Sequence, residues 1–176
     1  MTEGPPWSEV IRLQEVGRSP LRRRLVADEA VRARVAQALA LDALGKLEAE
    51  VSVSPWLDGA EVEGRWSADY QQTCGVTLEP FDTHGEGEFT VRVVPQGSRN
   101  APEEAEELSI DPEAEDPPDV LEGDRIDLAA YVVEHLALEV DPFPRKPGAV
   151  FEPPAPEEPP SPFAVLRRLQ GEGGGE

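Results

Sequence analysis

The chain holds one thiol and two imidazoles: Cys74, His84 and His135. A nucleophilic or redox-active cysteine needs a base or a positive neighbourhood to hold its thiolate. His84 lies ten residues beyond Cys74 in the polar stretch THGEGE, which reads as an exposed turn, and His135 falls in a helix beside Glu134. Neither spacing pairs a histidine with the thiol, so Cys74 reads as a half-buried structural cysteine. A single cysteine also precludes an internal disulfide and an all-cysteine metal site within one chain. Two histidines without paired ligand spacing do not make a zinc site. Carboxylates are so abundant that any acid/base pair chosen among them carries no information. No phosphate loop, dinucleotide fingerprint or nucleophile elbow occurs, and no helix follows the glycine-rich run near 171–175. The residues point to no catalytic group and no cofactor.

Six arginines form the more distinctive set. Arg18, Arg22, Arg23 and Arg24 fall in a loop-like stretch (GRSPLRRRLVADE), and Arg32 and Arg34 lie on the helix that follows. Planar guanidinium forks suit phosphate, which makes these six candidate contacts to RNA or a partner. They could equally neutralise the acidic part of the same molecule. That part is large, because 36 acidic against 16 basic residues leave a net charge of −20. Residues 1–46 carry eight basic and six acidic groups, a net of +2, while the remaining 130 carry eight and thirty, a net of −22. So acidic a chain repels phosphate backbones, which excludes a free-standing, non-specific nucleic-acid binder.

The elements that would position these groups follow from periodicity. A chain of 176 residues can form one domain with a real core. Ser8 to Leu13 reads as a short strand. Asp28 can cap a helix running to about Leu41, with Val31, Val35, Ala38 and Leu39 on one face. Leu47, Ala49, Val51 and Val53 alternate with polar neighbours up to Pro55, and a turn at Leu57-Asp58-Gly59 leads into Val62, Gly64, Trp66, Ala68 and Tyr70. This period of two predicts a hairpin with one buried face. Phe89, Val91 and Val93 make another strand. Asp124 or Asp127 opens a second helix to about Val140, buried through Ala129, Val132, Val133, Leu136 and Val140. The order predicts an α+β domain over residues 7–151, a mostly antiparallel sheet packed with two main helices.

Two segments stand apart. Gln96 to Asp124 holds eleven acids, four prolines and one arginine, so residues 97–124 read as a disordered acidic loop. Residues 152–160 (EPPAPEEPP) form a proline-rich linker of extended geometry. Beyond it, a short amphipathic helix over 161–169 aligns Phe163, Leu166 and Leu169, before a glycine-rich tail. Such a helix either packs on its own domain or enters a partner's groove. Met1 to Pro6 has no basic region followed by an apolar run, and no apolar stretch approaches ~18 residues, so the chain reads as soluble and cytoplasmic.

Residues 72–81, QTCGVTLEPF, resemble the central signature of the YceD family, which in many members reads Cys-x-Arg-Cys-Leu-Glu-x-Phe. The likeness continues at Asp124-Arg125-Ile126-Asp127-Leu128, then at Val132 to Leu138, and in the proline-rich exit Pro142-Phe143-Pro144; it spans about residues 7–151. The resemblance marks Cys74, Leu78, Glu79, Phe81, Asp124, Asp127 and Glu134 as a candidate signature surface. It implies a non-enzymatic role in accumulation of 23S rRNA of the large ribosomal subunit, through its synthesis, processing or stability. Members occur in bacteria and plastids. Two departures bear on zinc: Val76 and Thr77 stand where the signature has Arg and its second Cys, and Pro142 to Phe151 lacks the second cysteine pair of many members. No zinc or other cofactor is therefore expected.

Combined with the charge, the resemblance implies a ribosome-biogenesis factor that meets large-subunit ribosomal proteins or precursor particles, with 23S rRNA touched locally at the arginines and no membrane partner. The other reading is an acidic binding module, or nucleic-acid mimic, that sequesters an unrelated basic protein.

Overall fold

The structure, a computed structural model, describes residues 4–102 and 116–151. Its centre is a meander of three long strands, β3 (Ala43–Trp56), β4 (Gly59–Thr73) and β5 (Pro80–Pro95), joined antiparallel. Strand β2 (Leu21–Val26) adds antiparallel to β3, and β6 (Asp119–Leu121) adds parallel to β5, giving the order β2-β3-β4-β5-β6. A second sheet pairs β1 (Val10–Arg12) antiparallel with β7 (Arg125–Asp127). Helix α1 (Glu29–Ala38) packs on β3, while α2 (Leu128–Glu139) packs on β4, β5 and β1. The protein is α+β, with a mostly antiparallel sheet and, among the described residues, two α-helices, as its periodicity predicts. No helix among the described residues is long and apolar enough to cross a membrane.

Both helices begin where a side chain caps them. Asp28 accepts from the Val31 amide at 2.8 Å, and Asp127 accepts from the Ala130 amide at 3.3 Å. These bonds satisfy amides that a helix start leaves without an internal partner. Of the two aspartates that could open the second helix, Asp127 is its cap, and Asp124 lies a short strand earlier. Helix α1 ends at Ala38, short of Leu41, and Ala38 is exposed; the buried residues are Val35 and Ala36.

Among the described residues, the helices cover one face of the sheet. Leu47, Val51, Val53, Val62, Trp66 and Tyr70 lie beneath Val35 of α1 and Val132 and Leu136 of α2. The pairing slips between Leu44 and Lys46, where Gly45 sits. That extra residue lets Leu44 and Leu47, three apart, both turn inward, as a bulge does.

Several elements depart from the sequence-based expectation. Residues 21–26 are a strand, not a loop, with arginine at three of six positions. The THGEGE stretch is the middle of β5, not a turn, and its inward positions are Thr83, Gly85 and Gly87. A Cβ on Gly87 would lie 3.0 Å from the Trp66 ring, and one on Gly85 would lie 3.2 Å from Tyr70. Rings from β4 fill the space that β5's own side chains leave, so this strand shows no apolar alternation. Part of the acidic loop, Asp116 to Asp124, contains β6 and leads directly into β7. A parallel neighbour of β5 needs a crossover of a dozen or more residues, and residues 96–118 separate the two strands in sequence. Residues 103–115 of that loop, and the whole of 152–176, lie outside the described residues.

Candidate functional site

Cys74 follows β4 directly and heads a tight turn. Its amide donates to the Glu79 carbonyl (2.9 Å), its carbonyl accepts from the Leu78 amide (2.9 Å), and Leu78 takes a left-handed backbone with φ +59°. This geometry turns the backbone amides of Val76 and Thr77 onto Sγ, each at 3.4 Å, and the Lys146 amide reaches it at 3.3 Å. The sulfur has no exposed surface. The hydroxyl of Thr77, then the amides of Lys146 and Thr77, lower its pKa to about 6 from the ordinary 9.0, outweighing the opposing effect of burial.

The same turn anchors the loop that follows α2. Gly75 donates to the Pro144 carbonyl (2.9 Å), Gln72 to the Asp141 carbonyl (3.0 Å), and Lys146 Nζ pairs with Glu79 at 3.0 Å. The residues present do not fit a zinc site. Cys74 is the only thiol of the chain, and three backbone N–H groups occupy its acceptor directions. Among the described residues no three of His, Cys, Asp and Glu gather to hold a metal ion. Hydrogen bonds and one ion pair tie the turn to the loop.

Neither histidine serves the thiol. His84 sits opposite Asp69 in the sheet, with Nδ1 at 2.6 Å from its carboxylate. Asp69 is five residues before Cys74, about 16 Å along a strand at roughly 3.3 Å per residue. His135 Nδ1 contacts the Tyr131 carbonyl at 2.8 Å, and its ring stacks on Phe89 with centroids 4.4 Å apart.

The signature residues divide between the two ends of α2. Cys74, Leu78, Glu79 and Phe81 lie near its C-terminus; Asp124 and Asp127 lie at its N-terminus, about 18 Å away for twelve residues. Asp127 caps the helix and also accepts from Ser8 Oγ (2.6 Å) and the Glu9 amide (2.9 Å). Asp124 pairs with Arg12 at 3.4 Å. These two aspartates hold the N-terminal segment against α2. Glu134 is exposed on the helix between the two groups.

The six arginines do not form one patch either. Arg32 donates to the Ala27 carbonyl (2.8 Å) and Arg34 to the Pro6 carbonyl (3.0 Å), so both brace α1's surroundings. Arg23 points to the covered side and is half-buried, and Arg18 is exposed before β2. Only Arg22 and Arg24 reach the open face of the sheet. There the register sets Arg24, Glu50, Arg65 and Glu88 directly opposite one another across four strands. Arg65 pairs with Glu88 at 2.7 Å, and Arg24 and Lys46 both pair with Glu48, at 3.5 and 2.6 Å. The Lys46 bond holds the Glu48 carboxyl below its usual range and is the main reason the Lys46 pKa is raised. Arg24, Glu48, Glu50, Arg65 and Glu88 line a shallow trough of about 690 Å³, which adjoins a second of about 660 Å³ that includes Arg22 and Glu63. Glu50 and Glu63 make no ion pair among the described residues. Arg65 and its acidic neighbours escape a search for basic clusters, although the polar phase of the 62–70 alternation already puts Glu63 and Arg65 on one face. Phe163, Leu166 and Leu169 lie outside the described residues.

A family model described as Large ribosomal RNA subunit accumulation protein YceD matches residues 62–170, more than half the chain. The match begins at β4, later than the sequence likeness suggested, and runs on through residues 161–169. No curated protein and no solved structure matches.

Proposed function

The chain belongs to the YceD family, and from that premise we propose that it is a non-enzymatic ribosome-biogenesis factor promoting accumulation of 23S rRNA. The observation that carries this reading is the family match across β4, β5 and α2, since the family is described by large-subunit ribosomal RNA accumulation and not by a reaction. The geometry supports the non-catalytic part: the one thiol is enclosed by amides and lies away from both histidines.

Charge placement supports contact through protein more than through RNA. Arg24 shares Glu48 with Lys46, and Arg65 is held by Glu88, so a phosphate approaching either guanidinium meets a carboxylate first. Arg22, Arg18 and the chain's N-terminal excess of basic groups leave room for a local RNA contact. The main partners are then basic large-subunit ribosomal proteins or precursor particles that carry them.

Deleting the gene tests the proposal. The ratio of 23S to 16S rRNA falls if it is right and stays unchanged if it is wrong. Sucrose gradients separate it from sequestration of an unrelated basic protein, because only a biogenesis factor travels with large-subunit precursors. Complementation with Cys74→Ser restores the ratio, whereas a cysteine-dependent reaction would be lost.

A further inference from the structure

Among the described residues both helices pack on one face of the five-stranded sheet, and the side chains of the central row on the other face are exposed. Strand register fixes the order of charge there. The row runs Arg24, Glu50, Arg65, Glu88 across β2, β3, β4 and β5, plus and minus in alternation. An alternating row of even length reverses its signs when it is turned end for end. A two-fold axis along the strands, between β3 and β4, therefore sets Arg24 of one copy against Glu88 of another, and Glu50 against Arg65. The neighbouring rows tolerate the same operation. It brings Lys46 opposite Asp69, Glu48 opposite Ser67 and Glu63 opposite Ser52. At the row ends Glu86 meets Val26 and Arg22 meets Thr90, so no charge in these rows directly faces its like.

We propose that this open face is the interface of a symmetric homodimer, with a second copy of the chain laid face to face on the first. An isologous contact must be complementary to itself, and like charges brought together are the usual obstacle for a charged face. The register removes that obstacle. Glu50, which makes no ion pair among the described residues, gains the partner's Arg65. Troughs of about 690 and 660 Å³ flank the central row and give side chains of the second copy room to interleave. Packed sheets cross at about 30°, and the central row, nearest the crossing point, is displaced least. Four strands and five rows cover about 19 by 33 Å, so the pair buries on the order of 1,200 Å², the low end for a specific interface. The contact is accordingly weak, and the net charge of −20 on each copy opposes it until salt screens the repulsion. Edge-to-edge pairing of β2 with its own copy is disfavoured, because it would crowd Arg22, Arg23 and Arg24 of both chains at one seam. The dimer is a property of the isolated chain and is independent of any role at the ribosome.

Sedimentation equilibrium of the full chain in about 0.15 M salt, over roughly 10–500 µM, tests the proposal. A monomer–dimer equilibrium is expected in that range. Arg65→Glu and Glu50→Arg, each alone, weaken it by about tenfold or more, since each sets two pairs of like charges across the two-fold axis. Mixed in equal amounts, the two variants form heterodimers with close to the parent affinity, because both cross-contacts are again glutamate against arginine. Glu134→Arg makes the same change of net charge on the exposed side of α2, and it rescues nothing when mixed with Arg65→Glu. A parent chain that stays monomeric throughout would leave the face to a different partner and overturn the proposal. Dimers that neither variant weakens, or a mixture that does not recover, would place the contact on another surface and overturn it equally. Unchanged far-ultraviolet circular dichroism verifies that both variants are folded.

Discussion

The two faces of the five-stranded sheet are built on different principles. The covered face is specified by shape: Trp66 and Tyr70 lie over Gly85 and Gly87, and Phe89 lies over Gly64, where a Cβ would come within 2.2 Å of the ring. The open face is specified by charge, with arginine and glutamate alternating across four strands. Removing an atom from the first leaves a void, and adding one makes a clash. Removing a charge from the second leaves water. Arginines counted along the chain therefore overstate the free positive potential, because the fold sets a carboxylate beside most of those that reach the open face.

The largest effect should come from Trp66→Ala. It empties the site that two glycines were selected to admit, at a cost of about 3–5 kcal/mol in urea denaturation. Gly64→Ala tests the same face by crowding, and should cost about 1–3 kcal/mol as Phe89 is displaced from its stack on His135. Pairing it with Phe89→Leu should recover part of that loss, a non-additivity the open face would not show.

Cys74 lies at the margin of the two regimes, buried like the first and electrostatic like the second. Its folded pKa of about 6 is below the ordinary 9.0. The stability it contributes is thus fully present above about pH 9 and is lost as pH falls through about 6. Denaturation midpoints should decline over that range in the parent protein and decline less in Cys74→Ala. Equal slopes would mean that the amides around Sγ hold a thiol, not a thiolate.

The smallest effect belongs to the open face. Arg65→Ala removes an exposed pair with Glu88 and should cost less than about 1 kcal/mol, shrinking further at 1 M salt. A cost matching that of Gly64→Ala would erase the distinction between the faces.

Legibility in the sequence follows the same division. Strands β3 and β4 could be read because their inward positions carry Leu, Val, Trp and Tyr at a period of two. Strand β5 could be read only from Phe89 onward, since the two inward positions just before it, Gly85 and Gly87, are glycines whose space is filled by rings from β4. Strand β2 was hidden by its arginines, although Leu21 and Leu25 turn to the covered side and Arg23 lies partly buried between them. Strands β6 and β7 are three residues each, too short for a period. The signature residues were recognisable as a set, but not their separation to the two ends of α2 or the capping work of Asp127.

By itself the sequence determined the class of fold, the Asp28 cap of the first helix, the excess of acid and the absence of a linear catalytic motif, because each depends on neighbours within a few residues. Tertiary structure alone decided that Arg24, Glu50, Arg65 and Glu88 share one line, that glycines in β5 accept rings from β4, and that the Lys146 amide meets the Cys74 sulfur. Each of these joins positions from 15 to 72 residues apart, and strand register and chain closure set such distances, not local spacing.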